Sequence, residues 1–338
     1  MAVTINDVAL KAGVSKSTIS CYLNGRFESM SLETRERIAA VIAEMEFRPN
    51  ALARSLKQKR THTIAAIVAN ILNPFSTSVI RGAEDCCKQA GMNLILCNAD
   101  DDPAKEKEYV EMLLSKQVDG LIINTTGFNN HYIKDVSIHT PVVLIDRKVP
   151  EIQCDTVAVN SSAGSHLAVD HLRKLGHQNI TMFTLPYKGI SPREERVEGF
   201  RKALSLHGLS FHLDALIETE AAEDVLVSHL DRLMKQVGRP SAIFGANNLM
   251  TMAVIKAAKQ LRLVIPDDIA VIGFDDWEWA PLMEPPVTVV AQPTYAMGEK
   301  AAATLLKRIK SGRLNKKPVL IVYEPELVPR KSCGEGGR

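Results

Sequence analysis

The sequence predicts a chain in two parts. An all-α helix-turn-helix unit occupies the front, and an α/β body with parallel sheets occupies the rest. Three observations carry this. Short capped amphipathic segments are punctuated by Gly13. From Thr63 onward, short apolar runs alternate with amphipathic stretches. Charge is also uneven: residues 1–60 hold ten Lys and Arg against six Asp and Glu, while the remainder holds 31 against 33. A basic front on a slightly acidic body points to an anionic partner for the front alone. At 338 residues, 46% hydrophobic and 24% charged, the chain is long enough to bury more than one core.

In the front, Thr4-Ile-Asn-Asp7 has the form of a capping box with Asp in the place of Glu, and Val8 and Ala12 continue an apolar stripe. Gly13 ends this first helix. Ser15 caps a second within VSKSTISCYLNG, which ends near Asn24-Gly25. There Ile19 and Leu23 share one face, with Tyr22 beside Ile19, while Lys16, Ser17, Ser20 and Cys21 point the other way. Ser31 caps a third helix carrying Ile38, Val41, Ile42 and Met45, which stops before Arg48-Pro49. Two short helices around a glycine turn, backed by a third, form a helix-turn-helix, whose second helix enters the DNA major groove and reads base edges. Small polar side chains on that helix permit close approach. A plain three-helix cap is the alternative. The next segment, Pro49–Leu56, precedes Lys57-Gln-Lys-Arg60. It is too short to be a stable isolated helix, and Leu56 is suited to wedge between minor-groove base steps.

The body reads as strands Ile64–Ile71, Leu94–Cys97, Leu121–Asn124, Val142–Ile145 and Val157–Val159, with helices Ser76–Ala90 and Pro103–Lys116 between them. A second series follows: helix Ser161–Leu175, strand Ile180–Thr184, helices Arg193–His207 and Glu223–Val237, strand Ala242–Ala246, helix Leu249–Leu261 and strand Ile269–Phe274. Such alternation gives parallel sheets covered on both faces, and two Rossmann-like lobes suit the length. Ligands of such sheets bind at the carboxyl ends of the strands. The loops there are polar: Asn73-Pro-Phe75-Ser76, Asn124-Thr-Thr, Asp146-Arg147, Ser191–Arg196 ahead of a helix, Ala246-Asn-Asn248 and Gly273-Phe-Asp-Asp276. Each alone suits an ordinary loop or cap. Six together favour a polar small-molecule cleft.

Other classes find no foothold. There is no apolar stretch of transmembrane length and no signal-peptide core in MAVTINDVAL, so a cytoplasmic protein is expected. The six cysteines and nine histidines show no CxxC, HExxH or other metal spacing, and no cofactor or metal is expected. Adjacent Asp275 and Asp276 do not set an acid and a base across a bond, so an enzyme is not expected. A secreted sugar-binding protein would share the body fold, but not the front sixty residues.

TINDVALKAGVSKSTISCYLNG, then S-x-x-TRERI, then EFRPNALARSL resemble the headpiece and hinge of the LacI/GalR repressors. The resemblance runs in register to the end of the chain. In the body, RVEGF (Arg196–Phe200), GANNLM (Gly245–Met250) and VIGFDD (Val271–Asp276) look like that family's effector-domain motifs. It implies a helix-turn-helix over 1–48, a hinge and linker over 49–61, and a two-lobed, type I periplasmic-binding-protein-like effector domain over 62–338. Three crossovers near 160, 290 and 322 would join the lobes. By the same resemblance, Lys16, Ser17 and Cys21 read bases, and Thr4, Ser15, Thr18, Asn24 and Asn50 contact phosphates. Leu56 is the minor-groove lever, with Ala53 beside it. Where Cys21 stands the family commonly has an arginine reading guanine, and a thiol cannot make that bidentate contact.

For the effector, the resemblance implies that Arg196, Asn247 and Asp275 hold sugar hydroxyls. Phe75, Ser76, Asn124, Asp146, Arg147 and Gln292 take adjacent pocket positions, and Asn248 departs from the usual aspartate. The implied function is a homodimeric repressor of double-stranded operator DNA, released by a small sugar-type effector. GFDDWEWAPL (Gly273–Leu282) is similar to repressors of 2-keto-3-deoxygluconate and related ketogluconate catabolism. Arg147 and Arg196, two guanidiniums in one cleft, favour an acidic sugar over a neutral hexose. In the alternative, Arg147 pairs with Asp146 or Glu151 on the surface and the ligand is neutral.

Overall fold

The computed structural model describes residues 3–28, 30–47, 60–312 and 317–334. The hinge positions Asn50, Ala53 and Leu56 lie outside the described residues. The chain forms two compact units, 1–61 and 62–338.

The first unit begins with helix α1 (Ile5–Ala12), closed at its start by a reciprocal capping box. Thr4 N donates to Asp7 Oδ2 at 2.8 Å, and Asp7 N donates back to Thr4 Oγ1 at 3.4 Å. Gly13 sits at φ 65°, the left-handed conformation that a tight turn into α2 (Lys16–Leu23) requires. Helix α3 (Leu32–Glu44) closes the unit. Val8, Ala9, Ala12, Ile19, Ile38, Val41 and Phe47 make one core, and Lys11 meets Glu44 at 2.7 Å. The small interior is what the apolar spacing of the three helices predicts.

The second unit holds two six-stranded sheets, ordered β11-β5-β4-β3-β1-β2 and β12-β10-β9-β8-β6-β7. The first lobe uses β1 (Thr63–Val68), β2 (Asn93–Asn98), β3 (Gly120–Ile123), β4 (Val142–Ile145), β5 (Asp155–Val159) and β11 (Leu320–Tyr323). The second uses β6 (Ile180–Thr184), β7 (Leu216–Glu218), β8 (Ala242–Gly245), β9 (Ala270–Phe274), β10 (Thr288–Ala291) and β12 (Glu326–Val328). Every pairing is parallel except β10 with β12. The chain changes lobe after β5, after β10 and between β11 and β12. These are the three expected crossovers.

Helices cover both faces: α4 (Pro74–Gln89), α5 (Pro103–Ser115), α6 (Asn130–His139) and α11 (Thr294–Ser311) in the first lobe, α7 (Ser161–Lys174), α8 (Ser191–Leu206), α9 (Glu223–Met234) and α10 (Asn248–Gln260) in the second. Helices α4 and α11 pack with backbones nearly touching. A Cβ on Gly298 would stand 1.8 Å from the Val79 carbonyl oxygen, so nothing larger than glycine fits there.

Two boundaries differ for identifiable reasons. Strand β1 ends at Val68 rather than Ile71, because Asn124 Oδ1 accepts from Ala69 N at 3.4 Å and turns the chain into a loop. Helix α8 begins at Ser191, with Pro192 in its first turn, so Ser191–Arg196 lies within the helix rather than ahead of it. No helix among the described residues is long and apolar enough to cross a membrane.

Candidate functional site

The strand orders place the switch points where loops after β1 and β3 diverge in one lobe, and loops after β6 and β8 in the other. The cleft between them spans about 640 Å³ of space, open solvent included. Phe75, Ser76, Asn124, Asp146, Arg147, Arg196, Asn247, Asp275 and Gln292 all line it.

Asp146 follows β4 and Asp275 follows β9, at equivalent strand ends of the two lobes. Both hold left-handed backbone, φ 68° and 79°, a conformation that costs energy away from glycine and aims each carboxylate off its strand. Asn124 braces Asp146, its Nδ2 donating to Asp146 Oδ2 and to the Ile145 carbonyl, both at 3.2 Å. Asp275 is held by Asn248 N at 3.4 Å on one oxygen and by Gln292 Nε2 on the other. The carbonyl of that Gln292 amide, Oε1, is buried without a partner among the described residues.

Asn247 caps α10 by accepting from Met250 N at 2.8 Å, so a structural cap and a cleft position coincide in one residue. Asn248, where the resemblance leads one to expect aspartate, accepts from Trp279 Nε1 at 3.2 Å. An amide serves that contact as an acceptor without adding a third buried carboxylate beside Asp275.

The arginines are the feature a surface reading cannot explain. Arg147 and Arg196 are each only 6% exposed. Arg196 spans α8 to Phe274, stacking 3.7 Å above that ring, and donates through Nη1 to the Ala246 carbonyl at 2.8 Å. Its Nε has no partner among the described residues. Arg147 pairs with neither Asp146 nor Glu151 on the surface. Its ion contact is Asp101 at 3.8 Å, while its Nε and Nη1 are buried and unpartnered among the described residues. Burial pushes Arg147 below the usual guanidinium range, against the pull of Asp146, Asp101 and Glu106. Burial likewise raises Asp146, although Arg196 and Arg147 pull it down and Asp275 adds to the rise.

Several lining residues were not among those expected, among them Asp101, Asn70 and Arg193. Asp101 enters from the loop after β2, and Asn70 from the loop after β1. Arg193 enters from the first turn of α8, and Pro186 O accepts from its Nη1 at 2.7 Å. Burial, with Arg147 and Arg196 nearby, pushes Arg193 down to about 10. A signal for it existed: Arg193 and Arg196 are three residues apart, and that spacing puts both on one helix face.

At the rim the lobes touch directly. Lys148 N donates to Ser191 Oγ at 2.7 Å, and Lys148 Nζ reaches Glu195 Oε1 at 2.6 Å.

In the first unit, Lys16 and Ser17 are exposed and Cys21 is half-buried. Ser15 Oγ accepts from Thr18 N at 3.1 Å and lies 2.6 Å from Ser17 Oγ and 2.8 Å from Thr18 Oγ1. This gathers three hydroxyls at a helix N-terminus, where backbone N–H groups and the dipole favour an anion. Thr4 is exposed beside its capping box, and Asn24 Nδ2 donates to Ser20 O at 2.7 Å. No cluster of metal-ligating side chains occurs among the described residues.

Known proteins resemble both units. Residues 4–50 match the bacterial regulatory proteins of the lacI family, and residues 169–333 match a periplasmic binding protein-like domain. The chain is 38% identical over 312 residues to the probable HTH-type transcriptional regulator EndR of Paenibacillus polymyxa, covering 91% of each. It is 36% identical over 332 residues to the HTH-type transcriptional regulator KdgR of Bacillus subtilis, covering 97% of each. Among solved structures, the lac repressor dimer bound to operator and the anti-inducer ONPF superposes with a TM-score of 0.85 at 25% identity, over 99% of this chain and 100% of that one.

Proposed function

The chain belongs to the lacI family of bacterial regulatory proteins, and we propose that within it this protein is a cytoplasmic, homodimeric repressor released from its operator by an acidic sugar. Its relatives are transcriptional regulators rather than enzymes. Residues 1–48 form the DNA-reading headpiece, 49–61 the hinge, and 62–338 the effector and dimerisation domain. Lys16, Ser17 and Cys21 face bases. Thr4, Ser15, Thr18, Asn24 and Asn50 hold phosphates, and Leu56 with Ala53 opens the minor groove. A dimer follows from recognition: one headpiece reads one half-site, and a pseudo-palindromic operator mirrors the protein's symmetry.

The observation that carries the effector reading is Arg147, a buried guanidinium with two N–H groups unpartnered among the described residues, in a cleft shared with Arg196. Buried donors left unsatisfied are costly, and a planar carboxylate satisfies two at once. Asp275, Asn247 and Gln292 supply the acceptors and donors that a polyol chain needs. A six-carbon sugar acid such as 2-keto-3-deoxygluconate fits both halves of the site, and the similarity to KdgR points the same way.

Calorimetry with 2-keto-3-deoxygluconate, gluconate, galacturonate and glucose tests this. At least one acid should bind and release operator DNA. Tight binding of glucose with no response to any acid would overturn it.

A further inference from the structure

We propose that Arg193 is a specificity-determining residue that, with Arg147 from the opposite lobe, clamps the effector's carboxylate, so that the ligand's charge draws the lobes together. This rests on the acidic-sugar reading above and adds which pair takes the acid group and what that does to the protein.

The placement is set by the rim contact. Arg147 directly precedes Lys148, whose backbone N–H donates to Ser191 Oγ at 2.7 Å. Arg193 is two residues beyond Ser191 on α8. The same contact is doubled by Lys148 Nζ on Glu195 at 2.6 Å. The two arginines therefore enter one cleft from opposite lobes, beside this tie between them.

Each guanidinium is committed on one side. Arg193 Nη1 is held by the Pro186 carbonyl, which fixes the plane of the fork. Arg147 reaches Asp101 through Nη2 and keeps Nε and Nη1 buried and unpartnered among the described residues. Arg196 differs, since its stacking on Phe274 and its bond to Ala246 O orient it within the second lobe, where it suits hydroxyls.

Charge balance agrees. Arg147, Arg193 and Arg196 face Asp101, Asp146 and Asp275 in the cleft. Burial raises the Asp146 carboxyl, which disfavours one of the negative charges facing the three guanidiniums. One carboxylate on the ligand supplies a negative charge in its place. A neutral sugar leaves the like charges of Arg147 and Arg193 uncompensated in the same cleft, where burial first and Arg147 second already lower Arg193.

The test compares wild-type protein with Arg193→Gln and Arg193→Lys, titrated calorimetrically with 2-keto-3-deoxygluconate, gluconate and the neutral polyol glucitol. Small-angle scattering with and without ligand reads lobe closure. The ratio of acid to polyol affinity should fall about 10- to 100-fold in Arg193→Gln, with a partial return in Arg193→Lys, which keeps charge but not the fork. Wild-type protein should contract on binding acid, and Arg193→Gln should not. If wild type binds an acid and Arg193→Gln keeps the same ratio and contraction, the clamp is refuted and the acidic-sugar reading stands. If wild type binds only the neutral compound, both fall together.

Discussion

Replacing Arg147 with alanine should separate ligand binding from folding. Its Nε and Nη1 are buried without partners among the described residues, so a carboxylate entering the cleft gains two charge-assisted hydrogen bonds. Each contributes about 1.5–3 kcal/mol, so even the low end for two is about 3 kcal/mol. At about 1.4 kcal/mol per decade of affinity, the variant should bind the acid ~100-fold more weakly or worse. Folding should respond differently. Breaking a well-paired buried ion pair costs several kcal/mol, but the ion contact of Arg147 is a loose 3.8 Å approach to a half-exposed Asp101. Its removal also relieves two buried donors of an unmet requirement. The thermal midpoint of the free protein should stay within about 4 °C of wild type, the range in which roughly 1 kcal/mol moves a large domain. Calorimetry with 2-keto-3-deoxygluconate and differential scanning of the free protein read the two effects. Unchanged affinity would show that Arg147 does not meet the carboxylate, and a collapse in stability would make it a structural cation.

Three further outcomes follow from particular residues. Burial holds the Asp146 carboxyl above its ordinary value of 3.8, so the folded state binds that proton more tightly than the unfolded chain does. Its contribution to stability is therefore full below 3.8 and lost as pH rises through the folded value, and Asp146→Asn should flatten that part of the stability profile. Thermal unfolding followed across pH reads this, and an unchanged profile in Asp146→Asn would contradict it. Leu56→Ala should cost operator affinity on the order of a few kcal/mol while leaving effector titrations unchanged, and equal operator affinity would make Leu56 a linker residue. Cys21→Arg should shift preference toward guanine at the contacted base pair by about 1–3 kcal/mol, checked by selecting duplexes with both proteins; the same preferred operator from both would show that Cys21 does not face the bases.

The parts of the fold legible in the sequence are those with strong local signals. The capping box at Thr4, the N-cap at Ser15 and the left-handed Gly13 depend on neighbours within three residues, and the structure places each as read. Strands β4 and β6 run the full spans their apolar stretches predict, because both are buried over their whole length. Strands β7, β11 and β12 are edge strands of three or four residues, partly exposed, and Pro318, Pro325 and Pro329 break up the run around the last two. No periodicity of useful length marks them. Helix α11 lacks a side-chain cap, and its glycine at 298 serves a packing contact with α4 that only the tertiary structure reveals.

The cleft followed the same division. Asp146, Asn247 and Asp275 were legible because strand ends in parallel sheets are ligand positions in general. Asp101 was not, because it is hidden in a run of like charges, NADDDP, where sequence alone does not say which member faces inward, and Arg193 within SPREER was marked only by its spacing from Arg196. Burial of Arg147 is likewise a tertiary fact: the resemblance implied a pocket position, while its charged neighbours Asp146 and Lys148 left a surface pairing open.

Coupling of a sequence-specific DNA contact to an acidic ligand in one chain can be measured in a single experiment. Random duplexes are enriched by repeated binding to the full-length protein, and the winning sequence is then titrated with 2-keto-3-deoxygluconate at several salt concentrations. One pseudo-palindromic winner is expected, with affinity that falls steeply with salt as counterions are released, and dissociation as the acid saturates the cleft. Enrichment of no sequence, or a winning complex indifferent to the acid and to the related sugar acids at every salt concentration, would contradict it.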